Sequence, residues 1–268
     1  MIRKPVVSGQ FYPQTEKSLK DLLSKLIDIK DPEKEDALGL VLPHAGYIYS
    51  GGVAGKTLSK VDIKNTAVIL GTNHTLTGAK FSIMTHGSWN TPLGDVKIDT
   101  EIAEAILKES SLLKEDVESH LYEHSIEVEL PFLQYLKKDI KIVPITVGMS
   151  GLDELKLLGQ EIARGYKKIG RSAFFIASTD FTHYEKSDLA EKKDGLAIEA
   201  ILSLDEEKLY NTVRDNTISM CGAAPTCTLI AICKNIGAKK AGLVKYQTSG
   251  DVSGDYSSVV GYAGLILW

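Results

Sequence analysis

Six short apolar runs rich in β-branched residues punctuate this chain, at Leu38 to Pro43, Thr66 to Gly71, Ile140 to Gly148, Ser172 to Ser178, Ala241 to Gln247 and Ser257 to Leu267. None alternates strictly between apolar and polar side chains. A strand with one wet face would alternate, so these runs read as strands buried on both faces. Between them lie amphipathic stretches of helical length, at Glu16 to Ile29, Thr100 to Lys108, Ser125 to Lys138, Leu152 to Lys168, Ser187 to Leu204 and Ala224 to Asn235. Helices there would cover both faces of a sheet, which predicts an α/β three-layer sandwich. The segment Phe81 to Asp99 has β-propensity and turn residues without a helix, and predicts an antiparallel hairpin or edge on a central mixed sheet. Proline and glycine are scattered, with no cluster to mark a boundary, so residues 1–268 are expected to form a single domain.

Charge narrows the partners. Lys and Arg number 31 against 35 Asp and Glu, a net of −4, and the basic residues are spread along the chain. Phosphate binding needs a basic footprint, so nucleic acid is not expected as a partner. No apolar run approaches the roughly 20 residues that span a bilayer, and the opening MIRKPVVSGQFYP lacks the apolar centre of a signal peptide. A cytoplasmic protein with no membrane contact is the expectation.

Reactive residues collect where strands end. The run to Pro43 leads into His44, the run to Gly71 into Thr72, Asn73 and His74, and the run to Ser178 into Thr179, Asp180, Phe181, Thr182 and His183. Ligands of open α/β sheets bind outside the carboxyl ends of strands. Three of the chain's six histidines at such ends point to one site, because clustered titratable groups in a cleft mark function. Gly46, Gly51, Gly52 and Gly71 flank the first two and are expected in tight turns or close backbone approaches. His86 and His120 lie in polar loops and are given no role.

Cys221, Cys227 and Cys233 are six residues apart, which is neither a disulfide framework nor the C-x-x-C of structural zinc. On a helix that spacing turns each about 240° from the last, so at most one serves a given site. Cys227 and Cys233 read as buried packing. Cys221, just ahead of a helix expected near Ala224, would feel the positive end of the dipole and is expected to be more acidic than a free thiol. In Tyr122 to Lys138, Glu123 and His124 open an expected helix, and His124 and Glu127 share a face at a spacing of three. A carboxylate there could orient the histidine, or simply sit in an acidic first turn.

The strings SGQFYP, LPHAGYIYSG, LGTNH, TPLGDV, EHSIEVELPFL, STDFTHY, CGAAP and VVGYAG, in that order from residue 8 to residue 264, resemble the Memo (mediator of cell motility) family. The resemblance implies the fold of class III extradiol ring-cleaving dioxygenases, which hold Fe(II) with two histidines and a carboxylate. By that likeness His44 and His74 are the histidine ligands, His183 is the acid–base residue with Asp180 as its carboxylate neighbour, and Phe11, Tyr49 and His124 face the substrate. The third ligand is Cys221 where the dioxygenases carry glutamate, and a thiolate with two imidazoles suits copper or zinc as well as Fe(II). No nucleotide cofactor is implied. AMMECR-type proteins and radical enzymes are the implied protein partners. Two functions stay open: a metal-dependent oxidoreductase, or a binding module that recognises a small molecule, peptide or protein through the same pocket.

Overall fold

The computed structural model describes residues 1–28 and 34–268. Four buried strands form its centre: β2 (Gly39–Leu42), β3 (Thr66–Thr72), β8 (Lys141–Val147) and β9 (Phe174–Ser178). They run parallel in the order β8-β3-β9-β2. Their residues are almost all fully buried, as runs without alternation require. Antiparallel strands close the β2 side. β12 (Val259–Leu267) pairs with β2, β11 (Ala241–Thr248) pairs with β12, and the short β10 (His183–Glu185) joins the start of β12. On the β8 side the pairings are mixed, and β4 (Phe81–Ile83) pairs antiparallel with the end of β8. β5 (Ser88–Thr91) and β6 (Gly94–Ile98) form the expected hairpin, β6 pairs parallel with β8, β1 (Ile2–Arg3) borders the hairpin, and β7 (Lys114–Glu115) adds to β4. The sheet is mixed.

Register fixes the layers. Gly39 in β2 lies opposite Leu267 in β12 and faces Cys233 and Leu229 of the helix α9 (Ala223–Ile236). Three residues back along β12, Gly264 faces Thr57 of α2 (Tyr47–Ser59), so α9 and α2 cover opposite faces. With α9 pack α6 (Leu152–Ile169) and α8 (Glu206–Asp215) and, through them, α3 (Thr100–Glu109) and α7 (Ser187–Leu202); with α2 pack α1 (Glu16–Leu26) and, through α1, α5 (Leu130–Leu136). Two further short helices, α4 (Glu118–Leu121) and α10 (Gly250–Ser253), sit in connections.

Two expectations change. The helix read over Ser125 to Lys138 is a 3₁₀ turn at Glu127–Glu129 followed by α5, because Pro131 can occupy only a first turn. Gly46, Gly51, Gly52 and Gly71 are not turn glycines: Gly46 caps α2, Gly51 and Gly52 lie inside it, and Gly71 lies in β3. Close approach is what Gly71 serves, since a Cβ there would stand 2.6 Å from both Ile126 Cγ1 and Ser125 Oγ. The C-terminal tip expected for the first helix, Ile29, lies outside the described residues.

Candidate metal centre

Parallel strands in register end at one edge, and that edge assembles the site. His44 follows β2, His74 follows β3, and Asp180 follows β9, where Leu42 pairs with Ser178 and Leu70 with Ala177. Cys221 arrives from the opposite direction, two residues ahead of α9. It is tied to the same edge, because Thr72 Oγ1 donates to its carbonyl at 3.1 Å and Gly222 N–H donates to Thr179 Oγ1 at 2.9 Å. One nitrogen from each of His44 and His74 and the sulfur of Cys221 then lie within 4.8 Å of one another.

Hydrogen bonds decide which nitrogen faces inward. His44 Nδ1 is 2.9 Å from Ser178 Oγ, and its Nε2 is 3.4 Å from Cys221 Sγ. His74 Nδ1 meets Glu123 Oε1 at 3.0 Å, so Nε2 is the nitrogen left for the centre. Glu123 is buried among N–H donors: its Oε2 accepts from His74 N, and its Oε1 also accepts from His124 N and Ser125 N. Burial pushes the Glu123 carboxyl up, but the His74 hydrogen bond and charge, with the Ser125 N–H, outweigh it and hold the group at about 2. A carboxylate of that kind on the far side of a ligand ring fixes its orientation and raises its donor strength. His44, wholly enclosed, is held well below its ordinary 6.5 by burial first, then by His124 and His74. It is therefore neutral and able to ligate. Two imidazoles with inward lone pairs and one thiol, backed by Ser178 and Glu123, fit a divalent ion of borderline or soft character.

Cys221 departs from expectation. Burial, then the Asp180 charge, push its thiol up to about 12, although the residue keeps part of its surface exposed. The sulfur is enclosed, and desolvation of a thiolate outweighs the dipole of α9. Metal-free Cys221 is a thiol, 3.3 Å from the Asp180 N–H.

A cavity of about 360 Å³ opens over this centre, walled by Phe11, His74, His124, His183, Tyr184 and Tyr262 among others. Phe11 meets His124 edge-on at 5.2 Å, and His124 stacks on His74 at 4.9 Å. Tyr49 does not line this cavity; it stands in the first turn of α2, 38% exposed, and the aromatic wall is made by Tyr184 and Tyr262 instead. His183 is not oriented by Asp180. Its Nδ1–H donates to Ser219 O at 2.8 Å and its backbone N–H to Ser219 Oγ, which leaves Nε2 with the lone pair. Asp180 Oδ1 accepts the His44 backbone N–H at 2.9 Å, and burial raises its carboxyl to about 6. A more apolar cavity of about 350 Å³ lies behind Ser219, between Met149, Leu155, Val213 and Ile218, and its lining has no histidine, cysteine or carboxylate.

The remaining histidines behave differently. His120 is fully buried beside Ser82 and Trp89, and burial drives it down to about 3, so it is a neutral packing group. His86 is exposed near Glu104 and Glu115. Cys227 and Cys233 are buried in α9, as expected. Sequence reasoning missed Glu123 as the partner of His74, and also Ser178 and Ser219. The spacing of Glu123 beside His124 was visible, but nothing local linked it to a residue 49 positions away.

The family model described as "Memo-like protein" matches residues 3–266. A MEMO1 family protein of Methanopyrus kandleri is 43% identical, covering 100% of this chain and 99% of its own length. One from Methanococcoides burtonii is 42% identical over 99% of this chain and 100% of its own. Among solved structures, an uncharacterized protein of Escherichia coli K12 shares the fold at a TM-score of 0.56 and 11% identity, covering 85% of this chain and 98% of that one. The chain belongs to the Memo-like protein family.

Proposed function

We propose that the protein is a metal-binding oxidoreductase-like protein, with His44, His74 and Cys221 holding one Fe(II) or copper ion. Zinc satisfies the same donors. The observation that carries the reading is that both histidines have one ring nitrogen committed outward, to Ser178 and Glu123, and the other left beside the Cys221 sulfur. A redox-active ion bound there would supply electron exchange with oxygen or an organic substrate. The rest belongs to the chain. His183, with Nδ1–H fixed on Ser219, accepts or returns a proton at Nε2. Phe11, His124 and Tyr262 shape a cavity that suits a small molecule or the end of a peptide. Asp180 holds the His44 loop through that residue's backbone N–H.

The second reading, a recognition pocket without turnover, draws on the thiol. Cys221 is protonated without metal, and the exposed Tyr184 at the rim would suit a peptide or protein partner. One experiment separates the two: metal content after purification without chelator, then oxygen uptake with a reductant or catechol, in wild type and in His44→Ala, His74→Ala, Cys221→Ala and His183→Ala. The oxidoreductase reading expects stoichiometric metal in wild type and His183→Ala only, with uptake in His183→Ala slowed on the order of 10²–10⁴-fold. Equal metal in wild type and His44→Ala would end the ligand assignment.

A further inference from the structure

Ser178 Oγ makes three close contacts: to the Ser125 carbonyl at 2.7 Å, to Glu129 Oε1 at 2.8 Å and to His44 Nδ1 at 2.9 Å. A hydroxyl has one proton and two lone pairs. The Ser125 carbonyl can only accept, so the Ser178 proton goes there. Both other partners must then bring a proton of their own. For His44 that is Nδ1–H. For Glu129 it is a carboxylic O–H, since an ionised Glu129 would compete for the single Ser178 proton and leave one oxygen pair in bare contact.

We infer that Glu129 is a neutral carboxylic acid that donates to Ser178, and that the chain Glu129–Ser178–His44 fixes His44 in its Nδ1–H form as a positioning device. A second observation agrees: Glu129 is fully buried, and among the described residues its Oε2 has no partner and no cation pairs with it, Arg3 being committed to Glu127. Burial outweighs the lowering effect of the Ser178 hydrogen bond and, with the nearby Asp180, pushes the carboxyl well above the ordinary 4.5; Tyr47 is the other titratable neighbour.

The consequence rests on reading His44 as a ligand. The two histidines are oriented by opposite means, His74 by an ionised carboxylate and His44 by a neutral hydroxyl and acid. An anionic partner strengthens a ligating imidazole as a donor and a neutral one does so less. The centre thus carries one strong and one weaker imidazole.

Infrared spectroscopy of the metal-free protein tests this, at a pH above the Asp180 range of about 6. Wild type should show a protonated-carboxyl band that is lost in Glu129→Gln and shifted in Ser178→Ala. Nitrogen NMR should report His44 protonated at Nδ1 in wild type and in Glu129→Gln, whose amide replaces the donor. No such band, or His44 protonated at Nε2, would overturn the assignment. Should Glu129→Gln fail to fold, carboxyl-labelled glutamate in wild type reads the same protonation, and a Glu129 signal in the ionised range overturns it. Failure of metal binding would leave the carboxyl band unaffected, which separates it from the metal assignment.

Discussion

Glu123→Gln is the most informative single change, because it alters a charge that touches both stability and the metal site. The carboxylate collects four N–H donors, from His74 Nδ1, His74 N, His124 N and Ser125 N, and lies at about 2 against an ordinary 4.5. At about 1.4 kcal/mol per pK unit, that depression is worth about 3 kcal/mol of folding stability. The sign follows from the direction. A carboxyl held lower in the folded state contributes stability that is fully present above 4.5 and lost as the pH falls through about 2. Glutamine keeps one acceptor oxygen, turns the other into a donor facing N–H groups, and cannot titrate. Urea unfolding across pH should therefore show a variant weaker by about 3 kcal/mol at neutral pH, with the gap closing between 4.5 and 2. Affinity for the metal should fall about 10–100-fold, the usual effect of losing the partner of a ligating histidine. Parallel pH curves for the two proteins would refute the claim that Glu123 is held ionised by these donors.

Two further outcomes are expected. Arg3→Met should destabilise by about 3–5 kcal/mol in urea unfolding, because among the described residues it leaves buried Glu127 with Val6 N, Val7 N and Tyr12 OH as partners; a loss under about 1 kcal/mol would contradict the buried pair. Metal binding near neutral pH should release about one proton, since Cys221 is a thiol below about 12 and His44 is already neutral. Calorimetry in buffers of different ionisation heat reads that number, and zero protons would mean that Cys221 does not ligate.

Much of this was legible because burial leaves a plain mark. Strands enclosed on both faces must be apolar throughout, and β2, β3, β8 and β9 fall within two residues of where their runs lie. Parallel strands share a carboxyl end, so residues following three such runs had to meet. What stayed hidden depends on contacts between distant segments. The helix α2 escaped notice because Gly46, Gly51 and Gly52 read as loop, yet Gly55 lets the helix approach the Leu26 carbonyl and Gly51 leaves room for Leu26 Cδ1. Glu123 reads as an acidic helix opener until the fold lays it under His74. The acidity expected of Cys221 failed for a similar reason: the helix behind it was visible, but the desolvation of its sulfur was not.

X-ray absorption of the iron- or copper-loaded protein sees the donor atoms themselves and so decides whether His44, His74 and Cys221 hold the ion. The spectrum should show one sulfur at about 2.3 Å and imidazole nitrogens at about 2.0–2.1 Å, with the sulfur lost in Cys221→Ser. A shell of nitrogen and oxygen alone in the wild-type protein, or a sulfur that persists in Cys221→Ser, would contradict it.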